Sequence, residues 1–303
     1  MPAERADMAY MADDDKETSS MEFATDNAHG SSSAGSWRRT WRLHTFDPRR
    51  VSSSRFLSTG ALLALRTTLF AYTLTVWVIS IVLDILDHQM QGHFVYFTHL
   101  CYTGLLAYLG TALVYTLHTW RYPGSVGSFT GMPRVLQLMH WLLFGSALLF
   151  ATIVSLVFWI VLYKPESYPD ATRRWITISV HGANLAFMWV EMAAGAMVFS
   201  PHWLHPTVLA FLVALYLALA YINEAVNGWF TYDFIDYKVH KGMEAAIIVG
   251  ILAGIFVLYY VLYAIHRVLD RYLPPRFARQ KPLGKLPGAY EGGGEYSAMM
   301  TKA

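Results

Sequence analysis

Between residues 61 and 266 the chain alternates long apolar stretches with short polar connections. Six stretches approach 20 residues with few charges: 61–83, 94–117, 136–162, 175–199, 207–226 and 245–266. Each is long enough, as a helix, to cross a hydrocarbon core of about 30 Å. Their apolar residues run all round a helical wheel and leave no polar face, which excludes two-faced helices on a water-soluble core. Open strands are excluded because lipid offers no partner for unpaired backbone groups. The pattern predicts an all-α, six-helix transmembrane bundle over 59–268. A basic juxtamembrane tail, 1–58, precedes it, and a basic Pro/Gly-rich tail, 269–303, follows.

Composition agrees with this reading. Of 303 residues, 55% are hydrophobic and 15% charged, well below the charged fraction of about a quarter in soluble domains. A formal charge of +2 is too small to point to nucleic acid. The single cysteine, Cys101, excludes an intrachain disulfide framework and a Cys-rich zinc module. Residues 1–36, acidic and containing Ser31-Ser32-Ser33, carry no apolar run of the signal-peptide kind, so no cleaved leader is expected. Like the tail after Leu273, they are too poor in apolar surface to fold alone and are expected to be disordered.

Charge placement orients the bundle. Arg38, Arg39, Arg42, Arg49, Arg50 and Arg55 precede the first stretch, while Arg267, Arg271, Arg276, Arg279, Lys281 and Lys285 follow the last. Six crossings put both groups on one side together with Arg121 and Arg134. The opposite loops hold Lys164, Arg173, Arg174, Lys238 and Lys241. The excess makes both termini cytoplasmic by the positive-inside rule. Trp120, Trp141, Trp159, Tyr163, Trp175, Trp203 and Trp229 fall near the ends of the stretches, as interfacial belts do. Arg66 lies inside the first stretch near its cytoplasmic end and reads as a snorkelling anchor. His118, His140, His202, His205 and His266 read as interfacial and solvated. No lipidation box or retention tetrapeptide assigns a particular membrane.

Intramembrane polar residues need either a structural partner or a function. At 1.5 Å per residue Thr98 and His99 lie about 6–8 Å below the outer surface on the second stretch, and His181 about 9 Å below it on the fourth. They can meet if those helices pack together. A turn of 100° per residue places His181, Asn184, Met188, Glu191 and Gly195 within an arc of about 80°. Glu191 is about 15 Å deeper than His181, so Asp84, Asp87, Glu224 and Asp233 are the better candidates to orient that histidine. Asn223, Glu224 and Asn227 end the fifth stretch on the same side.

Each residue also has a structural reading. Thr98 would bond back to the carbonyl of Phe94, His181 and Asn184 would be interhelical hydrogen-bonding glue, and Glu191 and Glu224 protonated structural carboxylates. Cys101 would be a small apolar filler. In the chemical reading, His181 takes the proton of Thr98, which then attacks an ester carbonyl. Regular helix amides are already bonded, so Asn184 or Tyr102 would have to serve the oxyanion. His99 and His181 ligating a single haem or other iron is the competing chemistry. The chain lacks the His-x-x-x-His pair, the cysteine set and the second histidine pair of transmembrane electron carriers, so neither cofactor nor metal is expected. A non-catalytic scaffold, small-molecule binder or transporter is the alternative class.

The segment Tyr96-Phe97-Thr98 resembles the threonine motif of the androgen-induced membrane hydrolase family. The run from His181-Gly182-Ala183-Asn184 through Phe187 to Glu191 is similar to the histidine-bearing helix of that family and of its rolling-stone-like and fungal relatives. The resemblance covers the six-stretch region. It implies an intramembrane hydrolase of fatty acid esters of hydroxy fatty acids, with Thr98 as nucleophile and His181 as partner. Asn184, Glu191, Asn223, Glu224 and Tyr102 would bind substrate or support the site. Its partners would be membrane lipid and the lipid ester.

Overall fold

A computed structural model describes residue 41 and residues 46–123, 132–164 and 170–279. The disorder expected of 1–36 and of the far C-terminal tail concerns positions outside these. The fold is all-α. Helix α1 is Thr59–Leu86, α2 Phe97–Arg121, and α3 Arg134–Val157 continued by a π turn at Phe158–Leu162. Helix α4 is Ala171–Ile178 and Asn184–Ala194 joined by a second π turn, Ser179–Ala183. Helices α5, Leu204–Asn227, and α6, Met243–Tyr272, complete the set.

Among the described residues five helices, all but α4, are long and apolar enough to cross a membrane. Helix α4 departs from the single run expected at 175–199. It is interrupted by its π turn and stops at Ala194; Gly195 is extended, and residues 196–200 are neither helix nor strand.

Local sequence sets the ends. Ser58 caps α1 by accepting from the amide of Ala61, and Asp170 caps α4 by accepting from Thr172 and Arg173. Gly228 ends α5 at φ +79°, a left-handed geometry that costs glycine little.

Helix α1 packs along α2, α2 on α3, α3 on α4, and α5 on α6. Phe144, Leu148 and Leu149 of α3 fill the centre with Tyr102, Leu105, Tyr108 and Leu109 of α2 and Met188 of α4. Facing outward are Leu74, Val78 and Val82 on α1, Phe211, Leu215 and Ile222 on α5, and Val249, Val257 and Val261 on α6. Water would not tolerate so continuous an apolar surface. It is consistent with association with a membrane.

The end that gathers the starts of α1, α3 and α5 is closed by segments grouped with the tails on sequence grounds. Val51 and Arg55 are fully buried. Arg50 and Arg55 both pair with Asp270 of α6, at 2.9 and 2.5 Å. The amide of Arg276 donates to the carbonyl of Ser54 at 3.0 Å. A short helix, Arg276–Arg279, follows Pro275. Two residues of the basic run before the first stretch are therefore spent on an internal ion pair.

This irregular segment survives burial because its carbonyls find side-chain donors. Arg50 donates to Ala196 at 2.8 Å, Trp141 to Val198 at 2.7 Å and Tyr259 to Ser200 at 2.9 Å. Every second carbonyl is satisfied from a different element, as buried backbone requires. Trp141, expected in an interfacial belt, is buried as a consequence.

Where α4 ends, Ser54 bridges to Gly195, and the Arg55 amide and the Ser54 hydroxyl donate to the carbonyl of Ala194 at 3.0 and 2.5 Å. A Cβ on Gly195 would sit 2.6 Å from the Glu191 carbonyl and 2.9 Å from its carboxylate. Gly195→Ala is expected to lower stability by about 1–3 kcal/mol. Gly250→Ala, in open space on α6, should be neutral or stabilising by about 0.5–1 kcal/mol. Thermal melts in detergent compare the two, and equal melting would remove the steric argument.

Two more expectations are corrected here. His140, His205 and His266 are buried, not solvated, because aromatic rings enclose them. His205 packs on Trp41 and Trp141, His266 on Phe144 and Phe199, and His140 on Tyr108. Arg66 does not snorkel: it and Glu191 are each 0% exposed and form a two-pronged ion pair. Arg66 Nη1 also donates to the carbonyls of Val51 and Ala112 and to Thr116, while the Tyr108 hydroxyl donates to Glu191 at 3.1 Å. With so many partners the guanidinium has no need of water.

Candidate functional site

At the opposite end of the bundle, Thr98 begins α2 one residue after the first helical position, and His181 lies in the middle of the π turn of α4. The Thr98 Oγ1 is 3.2 Å from His181 Nε2. The depth argument from the sequence thus brings together the two side chains it singled out. No back-bond from Thr98 to Phe94 forms, since Phe94 precedes the helix.

The other ring nitrogen decides the proton's position. His181 Nδ1 is 3.0 Å from the carbonyl oxygen of Thr177, which only accepts, so Nδ1 carries hydrogen. In the neutral ring Nε2 is then a lone pair. The Thr98 hydroxyl donates to it. This arrangement can withdraw the hydroxyl proton as Oγ1 bonds to carbon.

The orienting group is therefore a backbone carbonyl, not one of the four carboxylates considered. Asp84 pairs with His93 at 2.5 Å, Asp87 with Arg173, and Glu224 with Lys238. Asp233 is exposed. Both nitrogens of His181 are engaged, which leaves none for an iron shared with His99.

The His181 ring is held by the π turn of α3. Phe158 stacks on it, centroids 3.5 Å apart at 16°, and Trp159 Nε1–H donates to the His181 carbonyl at 3.0 Å. Two π turns thus face each other around one imidazole. Such turns recur where a helix re-aims a side chain for function.

Thr98 and His181 open on a cavity of about 440 Å³ that Asp84, His99, Arg173 and Tyr232 also line. Thr98, Phe158, Leu162 and Tyr232 are shared with an adjoining apolar hollow that reaches Val213 of α5 and Ile251 of α6. Phe97 and Tyr216, rings 4.8 Å apart, separate that hollow from a second apolar one of about 400 Å³. The hydroxyl therefore stands on a wall between a polar chamber and an apolar one.

Tyr232, in the connection between α5 and α6, has its hydroxyl beside Thr98. Burial, together with Tyr216, pushes this phenol well above its ordinary range, with Thr98 opposing. It therefore keeps its proton. Sequence reasoning did not find Tyr232, Phe158 or Trp159, because nothing local marks a contact made across the bundle. Thr177, four residues before His181, was readable as a helical neighbour.

The remaining expected site residues lie elsewhere. Asn184 accepts from Ser155 Oγ at 3.3 Å and joins α3 to α4. Asn223 donates to the carbonyl of Trp229 at 2.8 Å and accepts from Asn227, closing the end of α5. Glu224 draws the Lys238 ammonium above its usual range, chiefly through their hydrogen bond. Tyr102 is buried toward Thr73, and Glu191 belongs to the Arg66 cluster. None of these five lines the chamber.

Comparison with protein-family models, curated proteins and solved structures finds no match to this chain. By fold it is an all-α protein of long hydrophobic helices with a threonine–histidine pair at one end.

Proposed function

We propose that the chain is an intramembrane hydrolase of lipid esters, of the kind that the resemblance to the androgen-induced membrane hydrolases implies. The observation that carries this reading is the tautomer of His181, fixed by the Thr177 carbonyl so that Nε2 accepts from Thr98. Thr98 Oγ attacks the ester carbonyl carbon and its proton passes to Nε2. The tetrahedral intermediate collapses, the leaving alkoxide takes that proton, and an acyl-threonine ester is left. Water then attacks the acyl carbon and gives a proton to Nε2. The carboxylic acid departs as that proton returns to Thr98.

Tyr232 takes the oxyanion role that Asn184 and Tyr102 were considered for, because its protonated hydroxyl lies beside Thr98. Its removal as Tyr232→Phe is expected to lower kcat about 10²- to 10³-fold with little change in KM, read in steady-state kinetics. Unchanged kcat would take Tyr232 out of the mechanism.

The two chambers support an amphipathic substrate. The apolar hollow, of about 80 Å³, takes the few methylenes of a hydrocarbon chain nearest the ester, and a carboxylate head fits the polar chamber that Arg173 also lines. Fatty acid esters of hydroxy fatty acids carry both parts. The basic residues flanking the helices favour six crossings with cytoplasmic termini, which directs the site to the outer leaflet.

The test is hydrolysis of a branched fatty acid ester of a hydroxy fatty acid by detergent-purified protein, followed by acid quench and mass spectrometry of the Thr98 peptide. Turnover with an acyl adduct on Thr98 is expected. Folded wild-type protein with neither turnover nor adduct overturns the reading and moves the function to a scaffold, binder or transporter.

A further inference from the structure

Beside the Thr98–His181 pair lies a second cluster that the proposed hydrolysis does not use. Asp84 near the end of α1, His93 in the one-turn helix Met90–His93 and His99 in the first turn of α2 each bring a donor atom within 4.8 Å of the others. Among the described residues no other group of this kind is present. Asp84 and His99 line the polar chamber. The His93 and His99 rings lie 4.0 Å apart, tilted by 38°.

Hydrogen bonding inside the cluster is incomplete. His93 is 1% exposed, its Nδ1 lies 2.5 Å from Asp84 Oδ2, and its Nε2 is buried without any partner. A carboxylate at Nδ1 holds the proton there, so Nε2 presents a lone pair to a site that offers it nothing. A buried ring nitrogen in this state is costly unless an acceptor of that lone pair is supplied. Carboxylate, imidazole and electrophile in sequence is the arrangement by which histidines are set up to bind metal.

We infer that Asp84, His93 and His99 hold a divalent transition metal of the zinc class at the edge of the polar chamber. The two imidazoles supply nitrogen ligands and Asp84 offsets part of the ion's charge. Nitrogen ligands about 2.0–2.1 Å from one ion lie roughly 3.3 Å apart, so donors within 4.8 Å of one another need to converge by up to about 1.5 Å. Imidazole with carboxylate suits zinc, and disfavours magnesium and calcium, which take oxygen ligands. The remaining coordination positions face the chamber and are open to water or to a substrate oxygen. The spacing of these residues escaped the sequence reading because Asp84 and His93 reach each other only where the chain turns back between α1 and α2.

The test reads metal, not hydrolysis, and so stands or falls apart from the proposed activity. Full-length protein carrying a histidine-free tag is purified in detergent and its metal content measured by mass spectrometry. Chelator-stripped protein is then titrated with cobalt(II) and followed by its visible absorption. About one ion per chain and cobalt bands in wild type and in Thr98→Ala are expected. His93→Ala and His99→Gln should each weaken cobalt binding at least ~10-fold, and Asp84→Asn about 10- to 100-fold. Folded wild-type protein with no bound metal and no cobalt spectrum overturns the assignment. So does folded His93→Ala or His99→Gln protein that binds cobalt as tightly as wild type.

Discussion

Thr98→Val is expected to lower the turnover of a lipid ester by roughly 10³- to 10⁶-fold, the scale seen when a catalytic nucleophile or its base is removed. Valine keeps the branched shape of threonine and loses only the hydroxyl, so the start of α2 keeps its packing. The single hydrogen bond to His181 contributes about 0.5–1.5 kcal/mol, and melting should fall by no more than that implies. His181→Ala should match the loss in rate, because a nucleophile and its base act as a unit and their removals do not add. Thr98→Ser, which restores a hydroxyl, should recover part of the activity. Thr98→Val turning over at the wild-type rate, in protein that melts normally, would end the proposal.

The second large effect is on stability. Removing either member of the Arg66–Glu191 pair strands a charge, or several donors, among the carbonyls of Val51 and Ala112 and the hydroxyls of Thr116 and Tyr108. Loss of one partner of a buried pair costs about 3–5 kcal/mol, so Glu191→Leu should melt far below wild type or fail to accumulate. The double variant Arg66→Leu with Glu191→Leu should recover much of that loss, since replacing both charges by apolar groups is often neutral. Conservative Glu191→Asp protein that folds should keep its rate per folded molecule, because Glu191 does not line the chamber. Selective loss of kcat in that variant would tie the ion pair to the chemistry.

These two outcomes trace what the sequence could tell. Depth along a helix is a one-dimensional quantity, and counting residues from the start of each stretch was enough to bring Thr98 to His181. Azimuth was also readable: Glu191 faces inward, as the 100° rule placed it. What counting could not supply was the partner. Arg66 lay on another helix at a depth that also fitted an interfacial anchor, and only packing chooses between the two. The π turns were equally silent in the sequence, since one extra residue in a helical turn has no compositional mark at Ser179–Ala183. They bring His181 against Phe158, while its orienting partner is the carbonyl four residues back, the same partner that His266 finds in the regular helix α6. Tyr232 came from a connection that hydropathy treats only as a gap.

The clasp between Arg50, Arg55 and Asp270 has a consequence for how the chain is made. Arg55 and Asp270 are 215 residues apart, and at about 5–20 residues per second roughly 10–40 s of synthesis separate them. During that interval both arginines must stay solvated, because the site that buries them lacks its anion. The first helix therefore waits, incompletely seated, for the last one to arrive. Biogenesis of this protein ends with a ring closure, and a nascent chain released before α6 would carry an uncompensated cationic pair.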